Sequence, residues 1–253
     1  MPRHPHPAAG RGDRDPPGHP ARRRPHGRVL RGRRRRLLVG HATRHPVPPE
    51  RKKNMKIAIL GTGKVGSALG SRLAAAGHHV TYGSRTRAGE PGIAGQREAV
   101  ASADVVITAI PGTAVLSTLE EIGEEVLGDK IVLDPSAAFT PQMTMAYPGD
   151  SVARQLQARF PRARVVKALN TMNVTIMVDP LASLPHATVF ISGDDRAAKT
   201  EVTALLNDLG WSGDGIFDLG GVDTALATEH VAPLFFATVR VLGSPKFNIS
   251  LSR

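Results

Sequence analysis

The feature that most constrains this chain is a junction. Lys56-Ile57-Ala58-Ile59-Leu60 is a short apolar run that leads without a break into Gly61-Thr62-Gly63-Lys64-Val65-Gly66. An Ala- and Leu-rich stretch follows to Ala76 and ends at Gly77. The first run has the character of a strand buried on both faces of a parallel sheet; the second that of a helix with a glycine C-cap. Alone, G-x-G-x-x-G is a weak signal. Between a strand and a helix it specifies a dinucleotide-binding turn. Gly61 permits the tight turn, Gly63 lets backbone approach a pyrophosphate, and Gly66 allows close helix–strand packing. The helix N-terminus then offers its free N–H groups to the phosphates. Lys64 does not make this a P-loop, because the G-x-x-x-x-G-K-[ST] spacing is absent.

The alternation continues along the chain. Strands are predicted at 79–82, 105–109, 130–133, 164–168, 188–192 and 215–219. Helices are predicted at 68–76, 96–102, 113–127, 151–160, 196–209 and about 223–242. Strands alternating with helices at this spacing mean a doubly wound parallel α/β sheet of the Rossmann type, here with a short C-terminal helical extension.

Charge divides the chain at Met55. Residues 1–54 hold 16 of the 33 Lys and Arg, 3 of the 22 acids and 10 of the 20 Pro, with no aromatic residue. That segment carries +13 and has too little apolar surface to offset the entropy of ordering, so a disordered basic arm is expected. It reads as a nucleic-acid arm, as a transit peptide, or as translated upstream sequence with Met55 the true start; the last is the expectation, and with it no nucleic-acid partner is expected. Residues 55–253 hold 17 basic and 19 acidic side chains, a near-neutral body large enough for a sizeable core. The absence of cysteine excludes disulfides and thiol catalysis. No cluster of His and carboxylates has metal-ligand spacing. Finding no apolar run near the roughly 20 residues of a membrane span, we expect a cytoplasmic protein without a membrane partner.

The end of the second strand selects the dinucleotide. An NAD site places Asp or Glu there to bond the ribose 2′-OH. Here the segment reads Tyr82-Gly83-Ser84-Arg85-Thr86-Arg87, and no carboxylate comes before Glu90. A hydroxyl and a guanidinium suit a 2′-phosphate, so NADP is expected, held by Ser84 and Arg85 with Thr62 and Arg87 as helpers. Asn170 and Asn173 follow a strand end, where ligands bind, and read either as site residues or as a turn and helix cap. His230 reads as a proton donor or, more simply, as a satisfied core or interface histidine. The apolar stretch Val231–Val241 is expected to pack on the substrate side or against a second subunit, making a homodimer.

Lys56–Gly66, Gly83-Ser84-Arg85, Ala109-Ile110-Pro111, Val165–Asn173 and the closing helix resemble the coenzyme F420-dependent NADP oxidoreductases, F420 being a deazaflavin. More specifically, the chain resembles the bacterial branch described as predicted NADPH-binding reductases. The resemblance spans nearly all of residues 55–253 and none of the arm. It implies that Thr62, Gly63, Lys64, Val65, Ser84 and Arg85 hold NADP, and that Ala109, Ile110, Pro111 and the segment around Ala168 line the nicotinamide. The deazaflavin would stack on the nicotinamide, so hydride passes directly between two carbons and positioning does most of the work. The loop after Arg85 departs from the pattern, since Arg87 stands where relatives carry a further Lys.

The leading expectation is therefore hydride transfer between NADP and a flavin-like acceptor, coenzyme F420 or a flavin. One alternative is an NADPH-dependent reductase of a small imine or ketone, with Asn170 or His230 as proton donor. Another is a non-catalytic NADPH-binding sensor, and a third a nucleic-acid role resting on the arm.

Overall fold

A computed structural model describes residues 54–251; the basic arm, save its last residue, lies outside the described residues. In chain order the elements are β1 Lys56–Leu60, α1 Lys64–Ala75, β2 His79–Gly83, β3 Ile93–Ala94, α2 Gln96–Ala101, β4 Val105–Thr108, α3 Gly112–Ile122 and α4 Glu124–Leu127. There follow β5 Ile131–Asp134, α5 Val152–Arg159, β6 Arg164–Lys167, α6 Val174–Val178, α7 Pro180–Ser183, β7 Val189–Ile191, α8 Arg196–Asp208, β8 Ile216–Asp218, α9 Ala225–Glu229 and α10 Ala232–Leu242.

Six strands form one parallel sheet in the order β3-β2-β1-β4-β5-β6. The doubly wound Rossmann-type fold expected from the alternation is the architecture. Its strand order reverses between β1 and β4, which opens a crevice at the carboxyl edge, where ligands bind in such sheets. The alternation of side chains explains why β1, β4 and β5 are apolar throughout. Ile57, Ile59, Val105, Ile107 and Leu133 pack with Leu69 and Leu73 of α1 and Val202, Leu205 and Leu206 of α8. Ala58, Leu60, Val106 and Val132 face the other layer, with Val115 and Leu119 of α3 and Leu156 of α5. Each such Leu or Ile contributes about 1.5–3 kcal/mol by leaving water.

The structure corrects the expected elements in four places and adds a two-residue edge strand, β3, that was not expected. The helix expected over 113–127 breaks at Gly123, whose φ of +97° ends α3 before α4 starts. Two helices went unforeseen because each is a single capped turn or little more: the Asn173 side chain caps α6, and Asp179 caps α7 ahead of Pro180. The last two strands do not extend the main sheet. They pair with each other, and one antiparallel bridge, Lys167 to Ser192, joins β7 to β6.

The C-terminal helix is the fourth correction. It divides at His230-Val231, with α10 restarting around Pro233, which lacks the N–H an uninterrupted helix needs. The stretch Val222–Leu242 is nevertheless long and apolar enough, by length and composition, to cross a membrane. The expectation that no run approaches that length therefore fails. Within the stretch, however, Glu229 is wholly buried and bonded to a buried lysine, which docks α9 on the sheet.

Candidate functional site

The turn after β1 is built by what its glycines lack. Gly61 has φ +108°, and a Cβ there would lie 2.4 Å from the Ala109 carbonyl oxygen at the end of β4. A Cβ on Gly66 would lie 2.2 Å from the Gly61 carbonyl oxygen, so any side chain would push α1 off the turn. Gly63 differs. It is exposed, its φ is an ordinary −75°, and a Cβ would meet nothing within 4 Å. Gly63 is also the N-cap of α1, and no side chain caps the helix. Open space beside uncapped first-turn N–H groups fits a pyrophosphate.

At the end of β2, the Ser84 hydroxyl accepts from the N–H groups of Thr86 (3.3 Å) and Arg87 (3.2 Å), which folds the loop back on itself. Arg85 is exposed and makes no hydrogen bond or ion pair among the described residues. Arg87, expected as a helper, is instead engaged with Glu90: its Nε donates to Oε1 at 2.9 Å. The bond and charge of Glu90 raise the guanidinium's pKa, and Arg87 holds the Glu90 carboxyl below its ordinary range. The first acid after the strand is thereby turned toward Arg87. Of the residues expected at the end of β2, Arg85 is the one whose guanidinium stays unengaged among the described residues, beside the loop that Ser84 folds.

A cleft of about 310 Å³ opens at the carboxyl edge, lined by Gly63–Val65, Thr108–Gly112 and Pro135–Ala137. Ala109, Ile110 and Pro111 line it. Ala168 does not. It is wholly buried in the core with Val166, Leu169 and Met172, so it shapes that region through packing alone. Gly112 presses the cleft closed at one side, since a Cβ there would lie 2.5 Å from the Ala137 carbonyl. A second cavity, 330 Å³ and lined by Pro180, His186, Trp211 and Leu251 among others, shares no residue with the glycine turn.

Behind the Pro135–Ala137 wall lies a buried charged seam that the sequence reading missed. Lys167 Nζ lies 2.8 Å from Asp134 Oδ2 and 2.8 Å from Glu229 Oε1, with all three side chains at most 1% exposed. Lys167 also donates to the Ser136 carbonyl. Asp134 Oδ1 accepts from the Thr108 hydroxyl at 2.5 Å and the Ser136 N–H at 3.1 Å. Glu229 accepts from the Val152 and Ala153 N–H groups (3.0 and 3.4 Å), so α9 caps the N-terminus of α5. Burial raises the Glu229 pKa; Lys167 opposes that shift and Asp134 adds to it. Two polar side-chain atoms among the described residues are buried without a partner, Ser136 Oγ and Asn170 Nδ2. Asn170 follows Leu169, whose φ of +69° is rare for a residue with a Cβ. Asn173 is spent as a helix cap, and His230 Nδ1 donates to the Leu226 carbonyl of its own helix at 2.9 Å.

Known proteins match this arrangement. Residues 56–138 fit the family model described as NADP oxidoreductase, coenzyme F420-dependent. The chain is 30% identical over 213 residues to the F420-dependent NADP reductase of Methanothermobacter thermautotrophicus, covering 71% of this chain and 87% of that protein. It belongs to the coenzyme F420-dependent NADP oxidoreductase family. The F420-dependent NADP reductase of Methanocaldococcus jannaschii is 29% identical over 207 residues, or 71% of this chain and 90% of that one. The solved structure of a candidate F420-dependent NADP-reductase from Arthrobacter sp. FB24 superposes with a TM-score of 0.72 at 36% identity, covering 79% of this chain and all of the other. Like its relatives, this family member is an NADP-dependent oxidoreductase.

The fold thus gathers Gly63, Lys64, Val65, Ala109, Ile110 and Pro111 at one cleft. A legible clue to the missed seam was present. Two successive apolar strands end in opposite charges, and the β5–β6 register sets Asp134 beside Lys167.

Proposed function

We propose that this family member transfers hydride between NADPH and a deazaflavin of the F420 type. In this reading the pyrophosphate lies at Gly63 and the N-terminus of α1, the 2′-phosphate at Ser84 and Arg85, and the nicotinamide in the cleft. The dinucleotide supplies the hydride when bound. The balance is NADPH plus oxidised deazaflavin plus one proton, giving NADP⁺ and reduced deazaflavin.

The observation that carries the reading is the chemistry of the cleft wall. Lys64 is its one titratable lining residue, and the others are Gly, Val, Thr, Ala, Ile, Pro and Ser. Reducing a ketone or imine calls for a proton donor at the reacting heteroatom. Hydride transfer between two ring carbons asks the protein for alignment, which a wall of small and apolar residues provides. The proton of the balance goes from solvent to a deazaflavin ring nitrogen and needs no acid in the wall. The names of the relatives support the same acceptor class. Mixing NADPH with F420, FMN and FAD and following absorbance tests it. Rapid reduction of F420 with the flavins left oxidised is expected. Turnover of a small carbonyl or imine with F420 inert, or of no acceptor at all, would replace this reading with one of the alternatives.

We also infer that α10 meets a second copy of the chain, because Leu234, Phe236, Val241 and Leu242 of this helix are exposed. Light scattering is expected to give a dimer that Leu234→Glu weakens; a monomeric wild type would contradict it.

A further inference from the structure

We propose that the second cavity is a binding site for a small organic cation, a primary ammonium carrying a hydrocarbon body. The proposal is independent of how the cofactor cleft is read, since the two share no lining residue. The cavity, of about 330 Å³, lies between the entry to β7, the loop from α8 to β8 and the C-terminal segment. That volume suits a small molecule.

Its lining is held in place. Trp211 is only 4% exposed, and its indole N–H donates to the Met177 carbonyl at 3.0 Å, which fixes the ring. The C-terminal segment is tied to the entry of β7 by bonds between side chains and backbone. The Thr188 N–H donates to Asn248 Oδ1 at 2.8 Å, and Asn248 Nδ2 donates to the Thr188 carbonyl at 3.1 Å. The Ser250 hydroxyl donates to the His186 carbonyl at 3.0 Å. These bonds set Leu251 at the cavity.

Two properties of the lining select the ligand. No Lys or Arg lines the cavity, and its titratable side chains are His186 and Asp214. Neither side chain makes a hydrogen bond or ion pair among the described residues. Counting histidine as neutral, the site carries −1, so it attracts a cation and repels carboxylates and phosphates. An ammonium donates to the Asp214 carboxylate and to the free nitrogen of the imidazole. Leu181 and Leu251 leave large apolar surface in water, at 59% and 50% exposure. A hydrocarbon body lying against them removes part of that surface from water.

Trp211 is the chain's one tryptophan, so its fluorescence reads the site directly. The full-length protein would be titrated with 2-phenylethylamine, 2-phenylethanol and 3-phenylpropanoate. The amine is expected to give a saturable change in emission at millimolar concentration, and the carboxylate none. Asp214→Asn should weaken the amine roughly 3- to 10-fold, as for a charged bond to an exposed carboxylate, and the alcohol should bind wild type weaker by the same factor. Leu251→Ser should weaken the amine roughly 2- to 5-fold. Both variants should bind NADPH as wild type does. An equal response to the three probes, no response to the amine, or undiminished amine binding in either variant would overturn the proposal. So would a matching loss of NADPH affinity, which would mark a general change of fold.

Discussion

The glycine turn and the buried charged seam each supply one wall of the cleft, by opposite means. The turn contributes Gly63 to Val65, and is held by close backbone contacts that only glycine permits at Gly61 and Gly66. The seam contributes the Pro135–Ala137 wall, and is held by three buried charges brought from β5, β6 and α9. One wall is local in sequence and uses no side-chain chemistry. The other spans 95 positions, from Asp134 to Glu229, and rests on charged side chains that bond each other and the nearby backbone. The contrast separates two jobs: the turn is open toward a ligand, whereas the seam is closed and fixes the wall behind it.

Breaking the seam should have the largest effect. Lys167→Met would leave the Asp134 and Glu229 carboxyls buried without their cation, and the expected loss of stability is about 3–5 kcal/mol in urea denaturation. A loss below about 1 kcal/mol would show that the seam does not hold the wall. Breaking the turn should do the reverse. A Cβ at Gly63 meets nothing within 4 Å, so Gly63→Val should cost no more than about 1 kcal/mol, that of a poorer N-cap residue. Its NADPH affinity should fall more than roughly 100-fold, equivalent to two lost charge-assisted bonds. Arg85→Ala should weaken NADPH by roughly 10- to 100-fold and leave NADH unchanged, because the guanidinium sees only the 2′-phosphate. Equal losses for the two dinucleotides would sink the Ser84–Arg85 corner.

The smallest effect is a pH dependence. Burial raises the Glu229 pKa above its ordinary 4.5, so the native state holds this proton more tightly than the unfolded chain. Stability from the protonated form is complete below the unfolded pKa and lost as pH rises through the folded one. The groups facing Glu229 are Lys167, Asp134 and the N–H groups of Val152 and Ala153. Compared by denaturation across rising pH, Glu229→Gln should gain stability relative to wild type above pH 4.5. Parallel curves would contradict the burial effect.

The turn was readable because its rules are local: three glycines at fixed offsets between a strand and a helix imply their geometry. The missing acid after β2 was readable for the same reason. Ion pairing of Arg87 with Glu90 was not, since it depends on how the loop closes around Ser84. Lys167, Ser136 and Glu229 were hidden because their meaning is tertiary. A lysine ending a strand and a glutamate on a late helix look like surface charges until the fold brings them within 2.8 Å. Gly112 was hidden likewise, because its φ is ordinary and the need for glycine comes from Ala137, 25 positions away.

The most direct test of the proposed chemistry is isotopic. NADPH deuterated at the reactive nicotinamide carbon would be mixed with F420 and the full-length protein, and the reduced deazaflavin examined by mass spectrometry. Direct transfer between carbons should carry the label of one prochiral face into the product. Reduction of F420 with the label lost to water, or no reduction at all, would contradict it.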